Sequence, residues 1–175
     1  MSEEAAHKVL VIDDELGPRE SIRFLLKGTY EVFCADSVDQ GVAMLREQHP
    51  DLVIMDIRMP RKSGIEGLRE IREHDKVVSV VMLTGYGALE TAQEALRLGA
   101  TDYLSKPFDT TEMLAAVKRY VDRTRHERRR TEMMKDLQEI NSRLVDDLAS
   151  KEQQASMAQS TAEIAHDMRN PLMIV

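Results

Sequence analysis

The run Leu52-Val53-Ile54-Met55, closed by Asp56, constrains the fold more than any other stretch of the chain. Consecutive apolar residues bounded by polar positions fit a strand buried on both faces, as in the interior of a parallel sheet. Such a strand offers Asp56 no wet side, and a buried carboxylate without compensation is costly and tends to take up a proton. The chain must therefore supply Asp56 with partners. Asp56 becomes the candidate nucleophile, an acceptor of a phosphoryl group whose site the rest of the chain builds or whose state it transmits.

Similar apolar runs recur. Val9-Leu10-Val11-Ile12 ends in Asp13-Asp14-Glu15, and Glu31 to Ala35 forms a second strand. Val77 to Leu83 ends in Thr84-Gly85, and Asp102-Tyr103-Leu104-Ser105 ends in Lys106-Pro107. Helical spacing fills the intervals. Ile22, Leu25 and Leu26 follow the punctuation of Gly17-Pro18. Ser37-Val38-Asp39-Gln40 resembles a capping box opening a helix through about Gln48, with Val42 and Leu45 inward. Ile65, Leu68 and Ile71 line another helix, residues 88–98 a further one stopped by Gly99, and a last helix starts near Asp109. Strands alternating with helices predict an α/β fold, a parallel sheet with right-handed crossovers and helices on both faces. Ligands of such sheets bind at the carboxyl ends of the strands. Four strand ends deliver Asp13 and Asp14, Asp56, Thr84 and Lys106 to that one edge. Taken singly, an acidic pair is a helix cap, Thr-Gly a turn and Lys-Pro a loop; the coincidence at one edge argues against those bland accounts.

Three converging carboxylates repel one another unless a cation or proton intervenes. An oxygen-only cluster suits Mg²⁺, which takes few carboxylates and keeps several waters. Asp14 and Asp56 are the expected ligands, with Asp13 close or acting through water and the backbone carbonyl of Arg58 adding another. Phosphoryl transfer asks for positioning and charge compensation. Lys106 supplies positive charge, and Thr84 a hydroxyl for a phosphoryl oxygen.

Asp13-Asp14, Asp56 followed by Met59-Pro60 and Gly64, Thr84-Gly85, and Tyr103 ahead of Lys106-Pro107-Phe108 resemble the receiver domain of two-component response regulators over roughly residues 7–122. The resemblance implies a doubly wound, flavodoxin-like fold of five strands, Mg²⁺-dependent phosphorylation of Asp56 and a cis Lys106-Pro107 bond. It also implies a switch pair. Thr84 is drawn toward the phosphoryl group, Tyr103 turns into the space vacated, and the face made by the fourth helix, fifth strand and fifth helix changes.

From Asp109 to Pro171 about sixty residues contain no Gly and no Pro, too long for a docked globular helix. Met134, Asn141, Leu148, Ala155 and Ala162 at heptad position a place Leu137, Leu144, Ala158 and Ala165 at d. Lys151 interrupts the seam, and charged residues occupy the core positions before 133. The seam from about 133 to 148 predicts a parallel two-stranded coiled coil registered by Asn141; the other reading is a single solvated helix. Beyond it, His166-Asp167-x-Arg169-Asn170-Pro171-Leu172 resembles the H-box of the dimerisation and phosphotransfer domain of sensor histidine kinases. That resemblance makes His166 a phosphoacceptor imidazole, with Asp167 to take its proton or fix its tautomer. The expected organisation is a receiver over 1–122, a helical linker or coiled coil over 123–159, and over 160–175 the start of a truncated dimerisation and phosphotransfer helix. The parent protein would be a hybrid-type histidine kinase. No Gly-rich phosphate loop occurs in this chain, so autophosphorylation of His166 is not expected of it.

Charge and composition narrow the alternatives. Residues 1–122 carry 22 acidic and 15 basic side chains, and residues 123–175 nine of each. An acidic first domain argues against nucleic-acid binding, and Arg125 to Arg130 is a solvated helix face. The single cysteine, Cys34, allows no internal disulfide, and no apolar run is long enough to span a bilayer; the expected location is cytoplasmic. The partners expected are a histidine kinase or phosphotransfer protein as phosphoryl donor and a second copy of the chain through the long helix. A stand-alone response regulator with helix-mediated protein binding is the alternative. A Mg²⁺-dependent phosphatase of related fold fits least, because such enzymes place a second Asp two residues after a nucleophile on the first strand, and Asp13-Asp14-Glu15 lacks that spacing.

Overall fold

Five apolar runs form the strands β1 (Lys8–Ile12), β2 (Glu31–Ala35), β3 (Leu52–Asp56), β4 (Ser79–Thr84) and β5 (Asp102–Ser105) of one parallel sheet, ordered β2-β1-β3-β4-β5. The computed structural model describes residues 7–85 and 89–169. Between and after the strands lie α1 (Leu16–Leu26), α2 (Val38–Gln48), α3 (Gly64–His74), α4 (Leu89–Arg97) and α5 (Thr110–Met168). β3 and β4 are buried at every residue, as continuous apolar runs in a parallel sheet should be.

Period-two alternation splits the core into two layers. Leu10, Ile12, Val53, Met55, Val80 and Met82 face α2, α3 and α4. Val9, Val11, Leu52, Ile54, Val81 and Leu83 face α1 and the first turns of α5. α5 enters that layer with Met113, Val117, Tyr120, Val121 and Thr124, spaced three and four apart as one helical face requires.

Local signals explain most of the boundaries. Gly17 and Pro18 lie inside the first turn of α1 rather than ahead of it; a proline costs little there because the first-turn N–H groups have no helical acceptor. Ser37 is the N-cap of α2 but makes no side-chain cap, and Gln40 accepts the Asp36 N–H at 2.9 Å rather than that of Ser37. The complete capping box stands at α3, where Ser63 Oγ accepts the Glu66 N–H at 3.3 Å and Glu66 accepts the Ser63 N–H at 2.8 Å. Asp109 opens α5 by accepting the Thr111 and Glu112 N–H groups at 2.8 and 3.1 Å. Gly99, at φ 97°, ends the turn after α4. The Lys106-Pro107 bond is cis.

The chain divides into two compact units, Met1–Arg128 and Arg129–Val175. In the second, residues 129–168 are helical throughout, and Met134, Leu137, Leu144 and Leu148 are exposed, as are Met133, Ile140 and Val145 beside them. At the α-helical period Met157, Ile164 and Met168 fall on the roughly opposite side of the same helix. Among the described residues no helix is long and apolar enough to cross a membrane.

Candidate functional site

The order of strands reverses between β1 and β3, and an open α/β sheet offers its crevice at that point, beyond the carboxyl ends. Asp13 and Asp14 follow β1, and Asp56 ends β3. One oxygen from each of the three lies within 4.8 Å of the others. Asp13 and Asp56 are buried. Asp13 Oδ1 accepts the Glu15 N–H at 2.9 Å, and its other oxygen accepts from Lys106 Nζ at 2.7 Å. The same ammonium stands 3.4 Å from Asp56 Oδ2. Lys106 reaches in from the end of β5, where its N–H donates to the Thr84 carbonyl at 2.6 Å.

Burial pushes the Asp56 carboxyl above the usual carboxylate range. The Asp13 charge adds to that effect, while Lys106 and the Arg58 backbone N–H, which hydrogen-bonds the carboxylate, oppose it. Burial works against the Lys106 ammonium, but its bond to Asp13 and the charge of Asp56 outweigh burial and raise its pKa. One positive group therefore serves two buried carboxylates. Asp14 Oδ1 is buried with no hydrogen-bond partner among the described residues. An orphaned carboxylate oxygen in an all-oxygen cluster with excess negative charge fits a hard divalent cation such as Mg²⁺.

The loop after Asp56 is held from both sides. Ile57 N–H donates to Leu83 O at 3.0 Å, and Gly64 N–H to Ile57 O at 2.9 Å. A Cβ on Gly64 would lie 2.1 Å from the Asp56 carbonyl oxygen, so only glycine permits this return of the backbone. Lys62 joins the loop to α2 and α3 through Asp39 at 2.6 Å and Glu70 at 2.8 Å. The Arg58 side chain is exposed, and its guanidinium passes 3.2 Å from where a Cβ on Gly85 would stand.

Thr84 ends β4 beside Asp56, buried, and its hydroxyl donates to Gly85 O at 3.3 Å rather than to a carboxylate. Tyr103 is half-buried on the α4 side of the sheet, packed against the layer of Leu10 and Met82. His166 and Asp167 are exposed on the helix of the second unit. Asn170, Pro171 and Leu172 of the H-box resemblance lie outside the described residues.

Arg128, expected on a solvated helix face, is instead half-buried and donates to Asp51, Asp75 and the Pro50 carbonyl, and sequence reasoning missed two further features. The α3 capping box carried its signature openly in Ser63-Gly64-Ile65-Glu66. A polar set joining Asp102, Ser79, Tyr120 and Thr124 carried none, because its members lie 18 and 45 residues apart.

A family model described as response regulator receiver domain matches residues 9–118. Sporulation initiation phosphotransferase F of Bacillus subtilis (strain 168) is 37% identical over 119 residues, covering 65% of this chain and 93% of that protein. Regulatory protein AtoC of Escherichia coli (strain K12) is 43% identical over 117 residues, covering 66% of this chain; the chain spans only 25% of AtoC. Among solved structures, a response regulator receiver domain protein from Clostridium thermocellum superposes with a TM-score of 0.65 at 37% identity, covering 68% of this chain and 97% of that one. The receiver domain of NtrX from Brucella abortus does so with 0.63 at 32%, covering 65% and 98%.

Proposed function

This chain belongs to the response regulator receiver family, and from that premise we propose that Asp56 accepts a phosphoryl group and that its state governs the helical segment after Arg128. The observation that carries the reading is the setting of Asp56: buried at the switch point of the sheet, 3.4 Å from a lysine ammonium and within 4.8 Å of two further carboxylate oxygens. An Asp56 oxygen attacks phosphorus as the bond to the donor breaks. For a phosphohistidine donor the P–N bond breaks, and the imidazole leaves with the electron pair. Lys106 lies where it can meet the charge of a phosphoryl oxygen. Asp14 and Asp56 would hold Mg²⁺, with Asp13 close and the Arg58 carbonyl as a further donor. When bound, the cation supplies positive charge against which phosphoryl oxygens and carboxylates can sit together.

The switch follows from the same strand ends. The Thr84 hydroxyl leaves Gly85 O for a phosphoryl oxygen, and Tyr103 moves into the space behind it. Carrying a two-state element from about 1:99 to 99:1 takes ~5.5 kcal/mol of differential interaction. Contacts from Thr84 and Lys106, at roughly 1.5–3 kcal/mol each, reach that only when both form with good geometry, near the top of the range.

The output is a parallel homodimer through the stripe of Met134, Leu137, Leu144 and Leu148, registered by Asn141, and His166 is the phosphoacceptor of a histidine kinase region that follows it. The reading takes a histidine kinase or phosphotransfer protein as donor and the cytoplasm as the setting. A stand-alone regulator with helix-mediated protein binding is the second reading; the match to 93% of sporulation initiation phosphotransferase F covers the receiver portion that both readings share. Incubation with acetyl phosphate and magnesium, followed by peptide mass spectrometry, tests the site: the added phosphoryl mass belongs on Asp56 and disappears in Asp56→Ala. Labelling that survives Asp56→Ala refutes it. Solution mass with and without beryllofluoride tests the dimer, and no dimer in either state refutes that output.

A further inference from the structure

On the face that α5 turns to the sheet, three polar side chains recur every fourth residue. The Tyr120 hydroxyl donates to Asp102 Oδ2. Thr124 Oγ1 accepts the Ser79 N–H at 2.9 Å and lies 2.8 Å from Ser79 Oγ. Arg128 donates to Asp75 Oδ2 and Pro50 O, both at 2.9 Å, and to Asp51 Oδ1 at 3.2 Å. Asp102 opens β5, Ser79 opens β4 and Asp51 directly precedes β3, so the three rungs tie α5 to three neighbouring strands at the edge of the sheet remote from Asp56. Tyr120, Thr124 and Ser79 are buried. The Tyr120 hydroxyl, desolvated and facing the Asp102 carboxylate, has its pKa raised and stays a donor at neutral pH.

The first rung differs from the others in what it touches. Asp102 Oδ1 accepts the N–H of Tyr103 at 2.8 Å while its other oxygen holds Tyr120. Along β5 the side chains alternate: Tyr103 packs on the α4 side, and Leu104 packs in the layer shared with α5. A displacement of Tyr103 therefore moves the peptide that Asp102 grips, and Asp102 carries the displacement through the sheet to the other face.

We propose that Asp102 and Tyr120 are the positioning pair through which the state of Asp56 reaches α5. The pair touches no substrate; it acts by fixing the register between β5 and the helix. The inference rests on Asp56 being the phosphoryl acceptor, so loading and response are measured separately.

The experiment uses the full chain, wild type, Tyr120→Phe, Asp102→Ala and the double variant. Asp56 loading is read from acetyl phosphate labelling. The response is read from amide hydrogen exchange with and without beryllofluoride and magnesium, on peptides covering β4–β5 and residues 113–128. Wild type is expected to change in both regions. Each single variant is expected to load as wild type does, to keep the β4–β5 change and to lose most of the change in 113–128. The double variant should lose no more than either single one, since each removes the bond between Asp102 and Tyr120. A purely structural role would lower the unfolding midpoint yet leave the response in 113–128 at its wild-type size, and that result overturns the inference. So does a wild-type chain that loads Asp56 without any change in 113–128. A wild-type chain that does not load Asp56 removes the acceptor reading and the inference with it.

Discussion

Replacing Lys106 with methionine tests the electrostatic account of the site most directly. The ammonium lies 2.7 Å from Asp13 Oδ2 and 3.4 Å from Asp56 Oδ2. At an effective dielectric of about 20 these separations correspond to gross attractions of ~6 and ~5 kcal/mol, most of which offsets the desolvation of three charged groups. Lys106→Met leaves both carboxylates in place. The Asp13 side chain is 0% exposed and keeps one backbone hydrogen bond, from Glu15 N–H. Removing one partner of a buried pair costs about 3–5 kcal/mol. Because the Lys106 side chain is 21% exposed, the lower end applies, ~3 kcal/mol or a fall of about 1.5 M in the urea midpoint at a slope of ~2 kcal/mol/M. The assay is urea unfolding of wild type and variant at neutral pH, in chelator and in saturating magnesium chloride. A divalent cation replaces part of the missing positive charge, so magnesium should stabilise Lys106→Met more than wild type. The deficit has a pH signature as well. Burial already holds the Asp56 carboxyl high, and losing Lys106 removes a lowering influence. A carboxyl raised in the folded state subtracts stability above its folded pKa and nothing below its unfolded pKa, so the deficit should shrink as pH falls from neutrality into the carboxylate range. A loss below ~1 kcal/mol, the worth of an exposed pair, with equal magnesium gains for both proteins, refutes the reasoning.

Thr84→Ala should leave Asp56 labelling intact while removing roughly 2 kcal/mol of the differential interaction, which cuts the switched-to-unswitched ratio about thirtyfold; an unchanged dimer response to beryllofluoride counts against the switch. Gly64→Ala forces a Cβ against the Asp56 carbonyl oxygen and should cost about 1–3 kcal/mol together with a slower labelling of Asp56 by acetyl phosphate. Ser63→Ala removes the capping oxygen of α3 and should cost about 1 kcal/mol in urea unfolding, with Asp56 labelling unchanged.

The strand ends are legible in the sequence because each closes an apolar run with a polar residue that a buried strand cannot otherwise hold. Asp13, Asp56, Thr84 and Lys106 stand out on that ground alone, and the sheet topology does the rest by bringing their ends together. What stays hidden depends on rotamers and long-range pairing. Nothing in Thr84-Gly85 says that the hydroxyl rests on the Gly85 carbonyl. Tyr120 and Thr124 carry no signal of their own in the sequence, and their partners Asp102 and Ser79 are known only once β4, β5 and α5 are packed. The two capping signatures show the limit from the other side. Ser37-Val38-Asp39-Gln40 and Ser63-Gly64-Ile65-Glu66 share a pattern, yet Gln40 is taken by the Asp36 N–H and only the second box closes.

The division of the core into two layers also has a consequence for biogenesis. The layer of Val9, Val11, Leu52, Ile54, Val81 and Leu83 is covered by α1 and by α5, the first and last helices to pack on the sheet. A ribosome completes Leu83 well before Val121. At synthesis rates of roughly 5–20 residues per second the gap is about two to eight seconds. Throughout that interval the nascent sheet has one face closed by α2 and α3 and the other half bare. The emerging chain is thus at its most adhesive just before the first turns of α5 are tucked in. Nascent-chain engagement by a chaperone should be densest on lengths that include β4 and fall away once Val121 has cleared the exit tunnel.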